Sequence, residues 1–212
     1  MRALALAACL AVAAPAPAIA QPLQEADISV LRAINQAHSP VADVFFDAMS
    51  NEWQTFLSPV AAGYVASGGQ WGLPLRVVEA EAVSLGIFVG MKTAFARPRP
   101  YVTYPDLRTP RGPAPMDSFP SGHAATAFAG ATAIALEQPA WAVPAYGWAA
   151  LVGYSRMYTG VHYPSDVLAG AAVGVGSAYL AHWLFAGLNT RLGLPNPGAE
   201  TPVMPLTWSG SF

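Results

Sequence analysis

The chain has 212 residues, of which 54% are hydrophobic and 10% charged, and its mean hydropathy is +0.37. That length suits one domain, and the balance is shifted from ordinary soluble proteins towards membrane proteins. A net charge of −2 gives no footprint for nucleic acid, and the single cysteine, Cys9, lies in the leader, so the mature chain has neither disulfides nor a thiol nucleophile.

Met1 to Ala20 carries one arginine, an apolar run and the small-residue pattern Ala18-Ile19-Ala20. Residues 1–20 are read as a signal peptide or an N-terminal membrane anchor, with Pro15 and Pro17 favouring cleavage. Asp27 to Gln36 then places Ile28, Leu31 and Ile34 on one helical face, and Val41 to Met49 repeats the pattern behind the helix start Ser39-Pro40. These predict short amphipathic helices lying on the core or on a membrane surface. His38, between them, reads as a solvated turn residue.

Five apolar segments follow, at about 55–68, 76–93, 122–137, 139–155 and 165–186. They predict an all-α bundle, although several fall short of the ~20 residues that cross a bilayer comfortably. Arg76 and Glu79, three residues apart, are expected to pair, and Glu81 must face protein or water. Residues 101–119 form a long Pro-rich loop, either a substrate lid or a solvated connector. His182 reads as interfacial packing, and 188–212 as a Pro-rich tail.

Three short runs carry the chemistry. Lys92 is followed by Arg97 and by Arg99-Pro100; Pro120-Ser121-Gly122-His123 opens the third apolar segment; Ser155-Arg156 is followed by His162 and, four residues on, Asp166. A neutral imidazole can attack phosphorus, a carboxylate on its other nitrogen fixes the tautomer, and a guanidinium can grip two phosphate oxygens. In an up-and-down bundle the ends of the second and fourth segments share a face with the starts of the third and fifth. Lys92 and Arg156 sit at such ends, Ser121, His123 and Asp166 at such starts. All three runs therefore converge on one end, where two helix N-termini also point.

The ordered set Lys92, Arg99, Pro100, then Pro120, Ser121, Gly122, His123, then Ser155, Arg156, His162, Asp166 resembles the signature of the type 2 phosphatidic acid phosphatase (PAP2) superfamily. The resemblance implies a helical bundle of the PAP2 and haloperoxidase type over residues 21–187, embedded in a membrane. It implies His162 as nucleophile, Asp166 as the group holding its imidazole, and His123 as general acid and base. Lys92, Arg99, Arg156, Ser121 and Gly122 would bind phosphate, Gly122 because only a bare backbone approaches a phosphate closely. Arg97 receives no role. No metal and no cofactor are implied. The expected substrate is a phosphorylated lipid, such as phosphatidate, phosphatidylglycerophosphate, lipid A phosphate or a polyprenyl diphosphate, with a small phosphate ester as the alternative. No protein partner is implied. The exported N-terminus predicts an inner-membrane protein whose site faces the periplasm; the alternatives are a soluble periplasmic acid phosphatase, a vanadium haloperoxidase and a non-enzymatic lipid-binding membrane protein.

Overall fold

A computed structural model describes residues 17–192 apart from 111, 113, 115 and 116. Cleavage at residue 20 falls at the edge of that range, while most of the leader, Arg111 and the tail beyond residue 192 lie outside it. The described residues form helices α1 (Pro17–Gln36), α2 (Pro40–Met49), α3 (Glu52–Ala66), α4 (Gly72–Phe95), α5 (Pro100–Thr103), α6 (Gly122–Glu137), α7 (Ala142–Tyr158) and α8 (Pro164–Leu192), with a 3-10 turn at Pro139–Trp141. Among them there is no strand, as an all-α bundle requires.

Local chemistry explains most boundaries. Ser39 and Asn51 cap α2 and α3 with their side-chain oxygens, accepting from the N–H of Ala42 and Trp53. Ser121 caps α6, and its Oγ accepts from Ala124 N at 3.4 Å. Gly160, at φ 72°, takes the left-handed step that turns the chain out of α7 towards His162. The first amphipathic helix starts at Pro17, ten residues before the point at which its apolar period becomes visible.

Helix α6 is the axis of the bundle, packed against α4, α7 and α8. Its sequence is small: Ala124, Ala125, Ala127, Ala129, Ala131 and Ala133 are all buried. Small residues let backbones approach closely. On the facing helix, a Cβ at Gly170 would collide with the carbonyl oxygen of Ser121, and one at Gly174 with that of Ala125. This close crossing sets the start of α6 against the start of α8.

Within α8, Pro164–Phe185 is the one stretch among the described residues long and apolar enough to cross a membrane. Its 22 residues span about 33 Å as a helix. Large apolar side chains also point outward around the bundle: Val41 and Val44 on α2, Trp53 on α3, Val143 on α7, Leu168 and Trp183 on α8 are each at least 68% exposed.

Candidate active site

The three runs meet at one end of the bundle, through direct bonds. Lys92, in the last turn of α4, donates from Nζ to the carbonyl of Asp117 and, at 3.4 Å, to that of Ser118. Ser121 N donates to the Asp166 carbonyl at 2.9 Å, tying the start of α6 to the start of α8. Arg99 reaches the turn before α8, donating from Nη1 to Val161 O at 2.9 Å and lying 3.2 Å from Nε2 of His162. Arg156 donates from Nη1 to Ser50 O at 3.0 Å, and the Ser50 hydroxyl meets that of Ser155 at 3.2 Å. Lys92, Arg99, Ser121, Gly122, Arg156, His162 and Asp166 are all buried.

The contact between Arg99 and His162 fixes a proton. A guanidinium can only donate, so Nε2 of a neutral His162 must be the nitrogen with the lone pair, and Nδ1 carries the hydrogen. Nδ1 faces Asp166 Oδ2 at 3.5 Å. That distance is a close ion-dipole contact, longer than a hydrogen bond, and Nδ1 has no hydrogen-bond partner among the described residues. The same Oδ2 also accepts from the Ser118 hydroxyl and, at 3.0 Å, from Tyr163 N. Burial pushes His162 down to about 3, against the pull of Asp166 and with a smaller push from Arg99 and Arg156. The ring is therefore neutral, with Nε2 unprotonated, at any pH near neutrality. Burial also lowers Arg99, which nevertheless stays a cation.

His123 stands in the first turn of α6, near the charges of Arg156 and Arg99, the ring of His162 and the Ser50 backbone. Its Nε2 is buried and has no hydrogen-bond partner among the described residues. Gly122 has a packing reason that sequence did not supply. A Cβ there would lie 2.9 Å from Cε2 of Phe88, so the missing side chain makes room for that ring between α4 and α6.

Two residues that sequence reasoning missed, Ser118 and Ser50, and Arg97, to which it gave no role, complete the site. Ser118 holds Asp166, and Ser50 receives Arg156. Arg97 donates from Nη1 to Asp166 Oδ1 at 2.6 Å and from Nη2 to Asp27 Oδ2 at 2.9 Å. Burial opposes the charge on Arg97, but the two carboxylates outweigh it and hold its pKa above the usual value.

The long loop after α5 is pinned on the N-terminal helices. Arg108 pairs with Asp43, Asp106 with Arg32, and the amide of Asn35 bonds both the N–H and the carbonyl of Arg108. At the other end Arg76 and Glu79 pair at 3.0 Å as expected, and His182 lies 3.6 Å from Glu137. Glu81 faces protein, 6% exposed. Among the described residues, no three His, Cys, Asp or Glu side chains cluster as metal ligands would.

Comparison with known proteins agrees with this geometry. The family model of the PAP2 superfamily matches residues 74–189. The chain is 30% identical to a lipid A 4′-phosphatase of Bacteroides thetaiotaomicron, over 86% of this chain and 90% of that protein. It is 35% identical to a lipid A 1-phosphatase of Porphyromonas gingivalis over 60% of this chain, though it spans only 27% of that longer relative. The crystal structure of Aquifex aeolicus LpxE is similar with a TM-score of 0.62 and 28% identity, covering 73% of this chain and 93% of that one. With its fold, its signature residues and these matches in agreement, the chain belongs to the PAP2 superfamily.

Proposed function

We propose that this protein is a membrane-embedded, metal-independent phosphatase that hydrolyses the phosphomonoester or diphosphate of a lipid through a phosphohistidine on His162. The observation that carries the reading is the pairing of Arg99 with Nε2 of His162, which sets a neutral nucleophilic nitrogen beside a buried phosphate-binding cation. Nε2 attacks phosphorus in line, the N–P bond forms, and the P–O bond to the lipid breaks. His123, which burial and the neighbouring cations hold neutral in the free site, takes up a proton alongside the negative phosphate and gives it to the leaving alkoxide. The neutral His123 then takes a proton from water as that water's oxygen attacks phosphorus and the N–P bond breaks, releasing phosphate and His162. Lys92, Arg99 and Arg156, with the Ser121 hydroxyl and the Gly122 N–H, stabilise the equatorial oxygens. Three buried cations supply the charge that a metal supplies in other phosphatases.

The substrate class follows from the surroundings. The outward apolar side chains on α2, α3, α7 and α8 suit a bilayer better than water, and the cationic end of an apolar bundle suits a lipid headgroup. The named activities of the relatives make lipid A phosphate the first substrate to try. The leader and the alternation of the helices support a site that faces the periplasm. A cysteine introduced at Arg111, in a chain whose single cysteine is Cys9, would be labelled by an impermeant maleimide in intact spheroplasts on this reading, and only after lysis on the opposite one.

The test is phosphate release by the purified protein in detergent from lipid A, phosphatidate, phosphatidylglycerophosphate, a polyprenyl diphosphate and an aryl phosphate. Release from at least one lipid, faster than from the aryl ester, is expected. Release from none of them overturns the reading, and release from the aryl ester alone overturns the lipid assignment.

A further inference from the structure

Arg97 stands among the site's cations, yet the reaction above gives it nothing to do. Its contacts assign it elsewhere. Nη1 donates to Asp166 Oδ1 at 2.6 Å and to the Ser165 hydroxyl at 2.8 Å; Nη2 donates to Asp27 Oδ2 at 2.9 Å. Its guanidinium lies over the ring of Tyr163, 3.9 Å from the centroid. With two carboxylates and one aromatic face around it, its charge is balanced on the spot, whereas a phosphate clamp needs charge in excess. Its side chain is 26% exposed and that of Asp166 is fully buried, so its contacts lead from the surface inward to the dyad.

Asp27 holds the far end of this arrangement. It lies on α1, before the segment that the family model matches. Its Oδ1 accepts from Ser165 N at 2.8 Å and its Oδ2 accepts from the Ser165 hydroxyl and from Arg97. One carboxylate from α1 therefore satisfies a backbone donor in the first turn of α8, the turn that carries Asp166, and also fixes the guanidinium that holds Asp166.

We propose that Arg97, anchored by Asp27, is a positioning residue of the dyad: it fixes the Asp166 carboxylate that faces Nδ1 of His162, and it makes helix α1 a working part of the catalytic centre. The inference rests on His162 being the nucleophile. Arg97 occupies Oδ1, while the Ser118 hydroxyl and Tyr163 N hold Oδ2, the oxygen that faces the imidazole. Without Arg97 the carboxylate loses its one charged hydrogen-bond donor among these, and the plane that aims Oδ2 at Nδ1 is no longer set.

The test compares wild type, Arg97→Met, Arg97→Lys, Asp27→Asn and the Arg97→Met/Asp27→Asn double variant, purified in detergent and assayed with an aryl phosphate. Arg97→Met is expected to lower kcat by about tenfold or more, the size seen when an outer-shell partner is lost, with KM and inhibition by inorganic phosphate within about threefold. Arg97→Lys should recover part of the loss, and Asp27→Asn should cost less than Arg97→Met and nothing further in its background. Equal weakening of kcat and of phosphate affinity would make Arg97 a member of the clamp and overturn the proposal, as would kcat within about threefold of wild type. A second readout needs no turnover: the 15N imidazole spectrum of His162 should show the tautomer protonated at Nδ1 in both proteins, because Arg99 still holds Nε2, with the Nδ1 signal shifted in Arg97→Met as the carboxylate facing it loses its setting. An unchanged spectrum overturns the inference even if the protein proves to be no phosphatase, and a wild type that shows the tautomer but releases no phosphate sinks the functional reading alone. Should Arg97→Met fail to fold, Asp27→Asn and Arg97→Lys carry the same comparison.

Discussion

Two sets of cations share one end of this bundle and are held in different ways. Arg97 is bonded to the carboxylates of Asp27 and Asp166, while Lys92, Arg99 and Arg156 donate to main-chain carbonyls of Asp117 and Ser118, of Val161 and of Ser50. A carboxylate cancels a cation's charge. A carbonyl orients a cation without cancelling its charge. On the proposed reading, the contrast separates positioning from binding among residues that sequence alone presents as one basic cluster.

On the proposed scheme the imidazole forms the bond to phosphorus, so His162→Ala should have the largest effect, removing turnover and any acid-labile phosphoenzyme together. Phosphate release at more than a small fraction of the wild-type rate would break the scheme. His123→Ala comes next. It should slow release from a lipid, whose alkoxide needs a proton, by roughly 10²- to 10⁴-fold, and release from an aryl phosphate much less. Equal losses on the two substrates would remove the general-acid role.

Substitution within the cations sharpens the comparison itself. Arg99→Lys or Arg156→Lys keeps charge and loses the planar fork, and should cost about 10²-fold in turnover with phosphate inhibition weakened in parallel. That pattern, set against the kcat-only loss expected at Arg97, distinguishes the two sets; retained activity within about threefold would say that these arginines only hold helices.

The smallest effect concerns pH. His162, held at about 3 by burial, stays neutral where an ordinary imidazole, at about 6.5, would be charged. Its 15N spectrum should therefore remain that of a neutral ring at pH 5, and a protonated ring there would contradict the burial argument. Because the unfolded chain takes up this proton first, stability should fall as the pH drops below about 6.5 towards 3.

Much of this was legible in the sequence, for a physical reason. The segment expected at 122–137 is the helix Gly122–Glu137, because a cap at Ser121 and an unbroken apolar run mark both its ends locally. Helix alternation alone was enough to bring Lys92, Ser121, Arg156 and Asp166 to one face. The segment expected from residue 139 starts instead with a 3-10 turn, Pro139–Trp141, before the α-helix begins at Ala142. Pro22 and the lack of a clear apolar period hid the first ten residues of the helix that starts at Pro17. Asp27 pairs with Arg97 across 70 residues, and Ser118 with Asp166 across 48. Such pairs leave no spacing to read. The reason for Gly122 was likewise tertiary, being a ring 34 residues upstream, Phe88.

The central claim is that His162 attacks phosphorus inside a cationic clamp. Vanadate takes up a trigonal bipyramid when an imidazole supplies one apex, so it reports on nucleophile and clamp together, while phosphate reports mainly on the clamp. Calorimetric titration of wild type and His162→Ala with orthovanadate and with inorganic phosphate separates the two. The account predicts that vanadate binds wild type more tightly than phosphate does, and that losing His162 weakens vanadate far more than phosphate. Equal losses for the two anions, or vanadate binding that is unchanged in the variant, would contradict it.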